Sequence, residues 1–162
     1  MIEVGEIINL LVSEKYITTK DAESADVNAK KQGVSQLEYL YANNIVTKDI
    51  VGQAIAEKYS VSYLDLINHM PSKYVIIKVQ QNIAEKFRIV LVRASSTTLF
   101  FATEQPTPEL SKQLKRLYPK FVSTLYFSFK EDIDQSLLAY QSSLETRFNE
   151  IIQNSAKIGP QI

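Results

Sequence analysis

The sequence predicts an α+β fold in which a helical tandem repeat comes first and a small three-stranded mixed sheet packed with helices follows. Two observations predict it. Up to about residue 60 the chain repeats a helix–turn–helix pattern at a spacing of 29 positions, as from Thr18 to Thr47. Beyond it, three runs rich in β-branched and aromatic residues alternate with helical segments in the order ββαβα. We therefore expect a helical subdomain over 1–60, an α/β subdomain over 61–140, and a C-terminal helix and linker over 141–162.

The phrases "YITTKDAE" and "IVTKDIVG" are the most similar part of the repeat, and each predicts the start of a helix. The side-chain oxygens of Thr18 and Thr47 can accept hydrogen bonds from the free N–H groups of a first helical turn. Asp21 follows Thr18 by three positions, which is close to a capping box. These signals predict helices over 18–31 and 47–58.

Hydrophobic periodicity, together with residues that start or stop helices and strands, predicts the elements of the second half. They are a helix over 79–87, strands over 88–94 and 98–103, a helix over 108–118 and a strand over 121–129. The short "SST" link favours a hairpin between the first two strands, and the strand–helix–strand unit favours a parallel pair with a right-handed crossover. A capping box from Ser128 to Glu131 predicts a last helix, whose apolar stripe runs from Ile133 through Leu144 and Phe148 to Ile152.

The composition suits a globular domain and offers no visible catalytic or metal site. Hydrophobic residues make up 45% and charged residues 22% of the 162 positions. The chain has no cysteine, and its single histidine, His69, lies in a polar connection, where we expect it to be exposed. No phosphate-binding loop of the G-x-x-x-x-G-K-[ST] type occurs. We therefore expect this chain not to be an enzyme, with no catalytic, cofactor-binding or metal-binding residues.

The densest basic cluster lies on the predicted helix 108–118 and consists of Lys112, Lys115 and Arg116, with Lys120 beyond it. It is either an ordinary solvated face or a docking patch for an acidic partner or a phosphate. Nucleic acid is not expected, because the net charge is zero and nothing in the sequence suggests aromatic stacking beside the basic residues. No apolar run is long enough to insert into a membrane.

Three phrases, "SYLDL", "IAEKFRIVLVR" and "LFFATEQPT", occur in an order and spacing that resembles the N-terminal domain of type II secretion and type IV pilus assembly ATPases. The resemblance covers about residues 5–141. It implies a non-catalytic cytoplasmic domain that docks on the inner-membrane platform protein and is peripheral to the membrane through its partners. It also implies that ATP and Mg²⁺ are bound only by an ATPase domain that follows in the same chain.

Some members of that family bind cyclic diguanylate through two tandem helical motifs, and the repeat falls on these motifs in register. Each motif opens with Arg-Leu-Gly, has an inner glycine and closes with glutamine. None of these residues is present at the corresponding positions, which are Glu6, Ile7, Ile8, Lys15 and Ala29 in the first copy and Ser35, Gln36, Leu37, Asn44 and Lys58 in the second. Without arginine there is no guanidinium to grip phosphate or guanine, so we expect no cyclic diguanylate binding.

Three hypotheses for the function remain open. The first is a docking and regulatory domain of a pilus-assembly or secretion ATPase, which acts through protein–protein contacts. The second is a sensor of a cyclic dinucleotide that uses the same repeat. The third is a free-standing adaptor that shares the fold without a motor. The ordered match to the family, together with the lack of a phosphate-binding loop, favours the first hypothesis.

Overall fold

The computed structural model describes residues 2–141 and confirms the α+β class. Four helices come first: α1 (Val4–Ser13), α2 (Thr19–Gln32), α3 (Gln36–Ala42) and α4 (Lys48–Lys58). The second half contains β1 (Ser62–Tyr63), α5 (Lys73–Ile76), α6 (Gln81–Phe87), β2 (Ile89–Ala94), β3 (Thr98–Thr103), α7 (Pro108–Leu117) and β4 (Val122–Phe127). A last helix, α8, begins at residue 130 and is described to residue 141. All but the first residue of the C-terminal helix and linker predicted over 141–162, including the distal part of the α8 stripe, lies outside the described residues.

Within residues 2–141 the sheet has four strands in the order β1-β4-β3-β2. Strands β2 and β3 are antiparallel, and β3 and β4 are parallel with α7 as the crossover, so both predicted pairings are confirmed. The predicted strand count of three is wrong, because β1 adds a parallel strand beside β4. Only Ser62 and Tyr63 form β1, and a two-residue strand is too short to show an alternating pattern.

The helix starts predicted from the repeat are confirmed. Thr18 accepts a hydrogen bond from the N–H group of Asp21 at 3.0 Å, and the Asp21 carboxylate accepts one in return from the N–H group of Thr18. Thr47 likewise accepts from the N–H group of Ile50 at 3.2 Å. Each cap satisfies donors that a helix leaves without an internal partner, and so fixes where α2 and α4 begin.

The helix predicted over 79–87 is present, and it spans Gln81–Phe87. The Val79 carbonyl before it accepts a hydrogen bond from the Tyr140 hydroxyl at 2.7 Å. The capping box predicted at Ser128 is wrong. The Ser128 hydroxyl donates instead to the carbonyl of Leu64 at 2.7 Å. A long-range contact therefore replaces the local arrangement that the sequence favours at Ser128.

The described residues bury two hydrophobic clusters. One surrounds the sheet and is centred on fully buried side chains such as Phe101, Leu114 and Ile133. The other lies among the first four helices and includes Leu11, Leu40 and Val51, which come from α1, α3 and α4. Phe127 of β4 belongs to the helical cluster, so the end of the sheet packs against the repeat. The subdomain boundary drawn at residue 60 stays a prediction.

A close contact between Gly52 of α4 and Tyr63 of β1 joins the helices to the sheet. A Cβ atom at Gly52 would lie 2.4 Å from the Tyr63 ring, so the ring rests directly on the α4 backbone. The Tyr63 hydroxyl donates to Asp49 at 3.0 Å, and its ring packs edge-on against Phe129 with centroids 5.9 Å apart. Gly52 is therefore required by close packing, although glycine inside a helix ordinarily costs about 1 kcal/mol relative to alanine.

We predict that Gly52→Ala lowers the free energy of unfolding by about 1–2 kcal/mol. Overpacking a tight site costs about 1–3 kcal/mol, which exceeds the gain in helix propensity. Urea denaturation followed by circular dichroism measures the change.

Gly5→Ala is the matched control, because Gly5 also lies in a helix but has no atom within 4 Å of an added Cβ. We expect it to raise stability by about 0.5–1 kcal/mol. Equal effects of the two substitutions would show that the Tyr63 ring is not seated on Gly52.

Candidate functional site

An open cleft lies where the helical repeat meets the sheet. We call it the junction cleft; it has a volume of about 570 Å³. It lies at the carboxyl ends of the parallel strands β3 and β4, a position where α/β folds commonly bind ligands. Its apolar lining includes Ile7, Leu37, Tyr41, Tyr59, Phe127 and Phe129. Both the repeat and the sheet therefore contribute walls.

The rim of the junction cleft carries three carboxylates, Glu38, Glu104 and Glu131, and two ammonium groups, Lys48 and Lys130. Two of these five groups form ion pairs. The Lys48 ammonium donates to both carboxylate oxygens of Asp132 at 2.9 Å, and Glu104 accepts a hydrogen bond from Arg88. Among residues 2–141, the other three rim groups form no ion pair, although the Glu38 carboxylate accepts a hydrogen bond from the Ser35 N–H group. The groups outside ion pairs are two carboxylates and one ammonium, so the rim has one negative charge in excess.

The Lys48–Asp132 pair holds α4 against the start of α8. The Asp132 side chain is only 4% exposed, whereas that of Lys48 is 46% exposed. The Lys48 ammonium also lies 5.2 Å from the centroid of the Phe129 ring. A buried carboxylate needs such a partner, because an uncompensated charge in the interior is strongly destabilising. The pair therefore fixes one wall of the junction cleft.

Tyr41 places a hydroxyl in the cleft that stays protonated at neutral pH. Burial, and to a lesser degree the nearby charge of Glu131, raises the pKa of Tyr41 to about 12. A neutral phenol offers one donor and an apolar ring, which suits contact with another protein chain. Residues 2–141 contain no group of three or more His, Cys, Asp or Glu side chains able to hold a metal ion.

The positions that correspond to the cyclic diguanylate motifs serve the fold. Glu6 and Lys58, which stand for the first arginine and the last glutamine, form an ion pair at 2.8 Å. The hydrogen bond from Lys58 is the main reason that the pKa of Glu6 is lowered. Ser35 caps α3 by accepting from the N–H group of Glu38 at 3.1 Å, and Ile8 is buried in the helical cluster.

The backbone at the inner motif positions is nevertheless that of a glycine. Lys15 has φ 64° and Asn44 has φ 56°, so both are left-handed. In each copy the N–H group of the next residue donates back to the preceding helix, to the carbonyl of Leu11 in the first and of Leu40 in the second, at 2.9 Å in both. This bond closes a Schellman-type helix end. The turn that joins the helices of each pair is therefore retained although its glycine is not.

The basic residues predicted as a docking patch lie on one exposed helix, α7. Lys112, Lys115 and Arg116 are all exposed, and none of them lines the junction cleft. The Lys115 ammonium donates to the carbonyl of Pro119 at 3.1 Å, where it satisfies an acceptor just beyond the helix end. A docking role for these residues stays a prediction. His69 is exposed, as expected, with Nδ1 3.0 Å from the carbonyl of Asp65.

Sequence reasoning missed the junction cleft, because its walls come from distant segments. The sequence predicts a strand that includes Phe127 and Phe129, and a capping box that includes Glu131. Their position could have indicated the site, because aromatic residues followed by charged ones at the carboxyl end of a parallel strand suggest a binding site at that edge of the sheet. Leu37 and Tyr41 are four positions apart and so share one face of α3, but nothing in the repeat indicates that this face meets the end of the sheet.

Comparisons with known proteins give a family match and structural matches. The MshEN domain model matches residues 59–147, which is more than half of the chain. A solved structure of MshE with cdg superposes with a TM-score of 0.54 at 17% identity and covers 81% of this chain and 95% of that one. A structure of the N-terminal domain of XpsE gives a TM-score of 0.43 at 15% identity, with 85% and 95% covered. A search of curated protein sequences gives no match.

We predict that Lys15→Gly raises the free energy of unfolding by about 0.5–1 kcal/mol. A left-handed backbone costs a residue with a side chain about 1–2 kcal/mol, and glycine removes this cost while losing more entropy on folding. Thermal denaturation should show a midpoint raised by about 1–4 °C.

Glu23→Gly is the control, because Glu23 is exposed in the interior of α2. It should lower stability by about 1 kcal/mol. A loss of stability in Lys15→Gly similar to that in Glu23→Gly would contradict the left-handed assignment.

Proposed function

The chain belongs to the MshEN domain family, and from this premise we propose that it is the N-terminal docking and regulatory domain of a type IV pilus assembly or type II secretion ATPase. In this proposal it couples the motor to the inner-membrane platform by protein–protein contacts and has no catalytic role. The observation that carries the proposal is the family match over residues 59–147. ATP and Mg²⁺ would then be bound by an ATPase domain elsewhere in the same protein.

The chemistry of the described residues supports a role in binding. The junction cleft is apolar and aromatic, and its charged groups are ion pairs and rim carboxylates rather than an acid–base pair aimed at a substrate. No helix among residues 2–141 is long and apolar enough to cross a bilayer. In this proposal the domain reaches the membrane through its partner and remains on the cytoplasmic side.

A cyclic-dinucleotide sensor is the second candidate, because the fold is shared with the structure of MshE with cdg. The side chains at the motif positions weigh against it. Glu6 would repel a phosphate and is already paired with Lys58 at 2.8 Å. Leu37 lines an apolar wall and offers no donor. The repeat therefore presents few groups that could recognise a phosphate or a guanine.

We predict that calorimetry detects binding of this chain to the cytoplasmic region of its platform protein and no heat with cyclic diguanylate at about 100 µM. Absence of heat at that concentration places the Kd above roughly 10⁻⁴ M. Saturable heat with cyclic diguanylate and none with the platform region would favour the sensor and contradict the docking role.

The same titration tests the basic helix face. A triple charge reversal, Lys112→Glu, Lys115→Glu and Arg116→Glu, should weaken platform binding if α7 docks on an acidic surface. The three residues are exposed, so the variant is expected to fold. Unchanged binding by a folded variant would remove α7 from the interface.

A further inference from the structure

We propose that the junction cleft is a docking socket for a basic amphipathic helix of a partner protein. The inference rests on the proposed docking function and deepens it, because it names the surface and the chemistry of the partner. The cleft would take the apolar face of the helix, and the rim carboxylates would take its Lys or Arg residues.

The apolar lining specifies what enters the cleft. Tyr41, Phe127 and Phe129 provide aromatic walls, and Ile7 and Leu37 provide aliphatic ones. Its volume, about 570 Å³, falls within the range of about 300–1,000 Å³ that is usual for binding sites. Apolar and aromatic anchors buried in such a space supply most of the energy of a protein interface. The occupant must therefore present several apolar side chains on one face.

The shape of the site favours a helix over a strand as the occupant. Helical faces of α1, α3 and α4 and the end of β4 form the walls, so β4 contributes side chains rather than a free strand edge. Peptides that add to a sheet need unpaired backbone groups along an edge, and this groove does not present them. A helix with anchors at i, i+3, i+4 and i+7 fits an apolar groove of this kind.

The charged groups at the rim of the cleft indicate which charge the partner carries. Lys48 is held by Asp132, so its charge is compensated within the protein. Glu38 and Glu131 are exposed at the rim and form no ion pair among residues 2–141, against Lys130 alone. Partners that carry Lys or Arg beside their apolar anchors are attracted by this rim, and phosphates are repelled.

Side-chain contacts within the protein hold the walls of the cleft. The Phe127 and Phe129 rings pack edge-to-face with centroids 5.3 Å apart, and the Phe127 ring also stacks on Tyr59. Lys48 and Asp132 hold the charged side. A preformed site loses little entropy in ordering itself, which allows a short helix to bind usefully.

Anisotropy of a fluorescein-labelled Leu/Lys peptide tests the socket directly, with leucines at i, i+3, i+4 and i+7 and a Leu/Glu peptide as its acidic counterpart. The wild-type chain should bind the Leu/Lys peptide saturably and the Leu/Glu peptide at least about tenfold more weakly. Tyr41→Ala and Glu131→Lys should each weaken binding by about tenfold or more.

Two matched variants control for the loss of a tyrosine and for the change of charge. Tyr74 is 69% exposed outside the cleft, and Glu85 is exposed on α6. Tyr74→Ala and Glu85→Lys should change the affinity by less than about twofold, as expected for groups outside the contact. Circular dichroism establishes that all four variants fold. If the cleft variants match their controls, or if no saturable binding occurs, the proposal is overturned.

The same four variants, titrated with the platform's cytoplasmic region, separate this proposal from the proposed function. If only Tyr41→Ala and Glu131→Lys lose binding to the platform region, the docking function and the socket are both supported. If all variants bind the platform region equally well, the docking function is kept and the socket is overturned. If wild type does not bind the platform region, the proposed function fails and the peptide result alone decides the socket. A concentration-dependent dimer that Tyr41→Ala abolishes would identify a second copy as the occupant and overturn the proposal.

Discussion

The contact between Gly52 and the Tyr63 ring is the constraint on which the rest of the structure depends. It lets β1 approach the backbone of α4, and β1 in turn pairs with β4 at Tyr63 and Phe127. The end of the sheet is thereby brought into the helical cluster, where Phe127 is buried. A Cβ atom at residue 52 would lie 2.4 Å from the ring, so the ring would have to move outward. One glycine thus sets how closely the repeat and the sheet approach each other.

The junction cleft is a consequence of that approach. Two layers that meet along one edge and diverge beyond it leave a wedge, and here Phe127 at the end of β4 and Phe129 just beyond it line the wedge. The Lys48–Asp132 pair closes the wedge on one side, and it can do so because Asp132 is buried at 4% exposure with a cation in contact. Packing and electrostatics therefore act on the same feature. The cleft keeps its shape because the contacts that form it also join the two halves of the domain.

The sequence could predict what depends on neighbouring residues. Helix starts at Thr18 and Thr47 follow from hydrogen bonds that span three positions, and the β2–β3 hairpin follows from a short link between two strong strand patterns. It could not predict β1, whose two residues pair only because Gly52 admits Tyr63. Nor could it predict that the Ser128 hydroxyl would donate to Leu64, 64 positions earlier. These features depend on tertiary contacts that override local preference.

In the repeat, the backbone conformation is constrained more tightly than the side chains are. Lys15 and Asn44 keep the left-handed turn that a glycine would adopt more cheaply, because the helix-ending bonds to Leu11 and Leu40 require it. The side chains around the turn are under no such requirement, and Glu6 and Lys58 have become partners of each other. A duplicated scaffold can therefore persist on backbone geometry alone. Glu6 and Lys58 compensate each other's charge, and the apolar surface that the repeat shares with the sheet is the lining of the junction cleft.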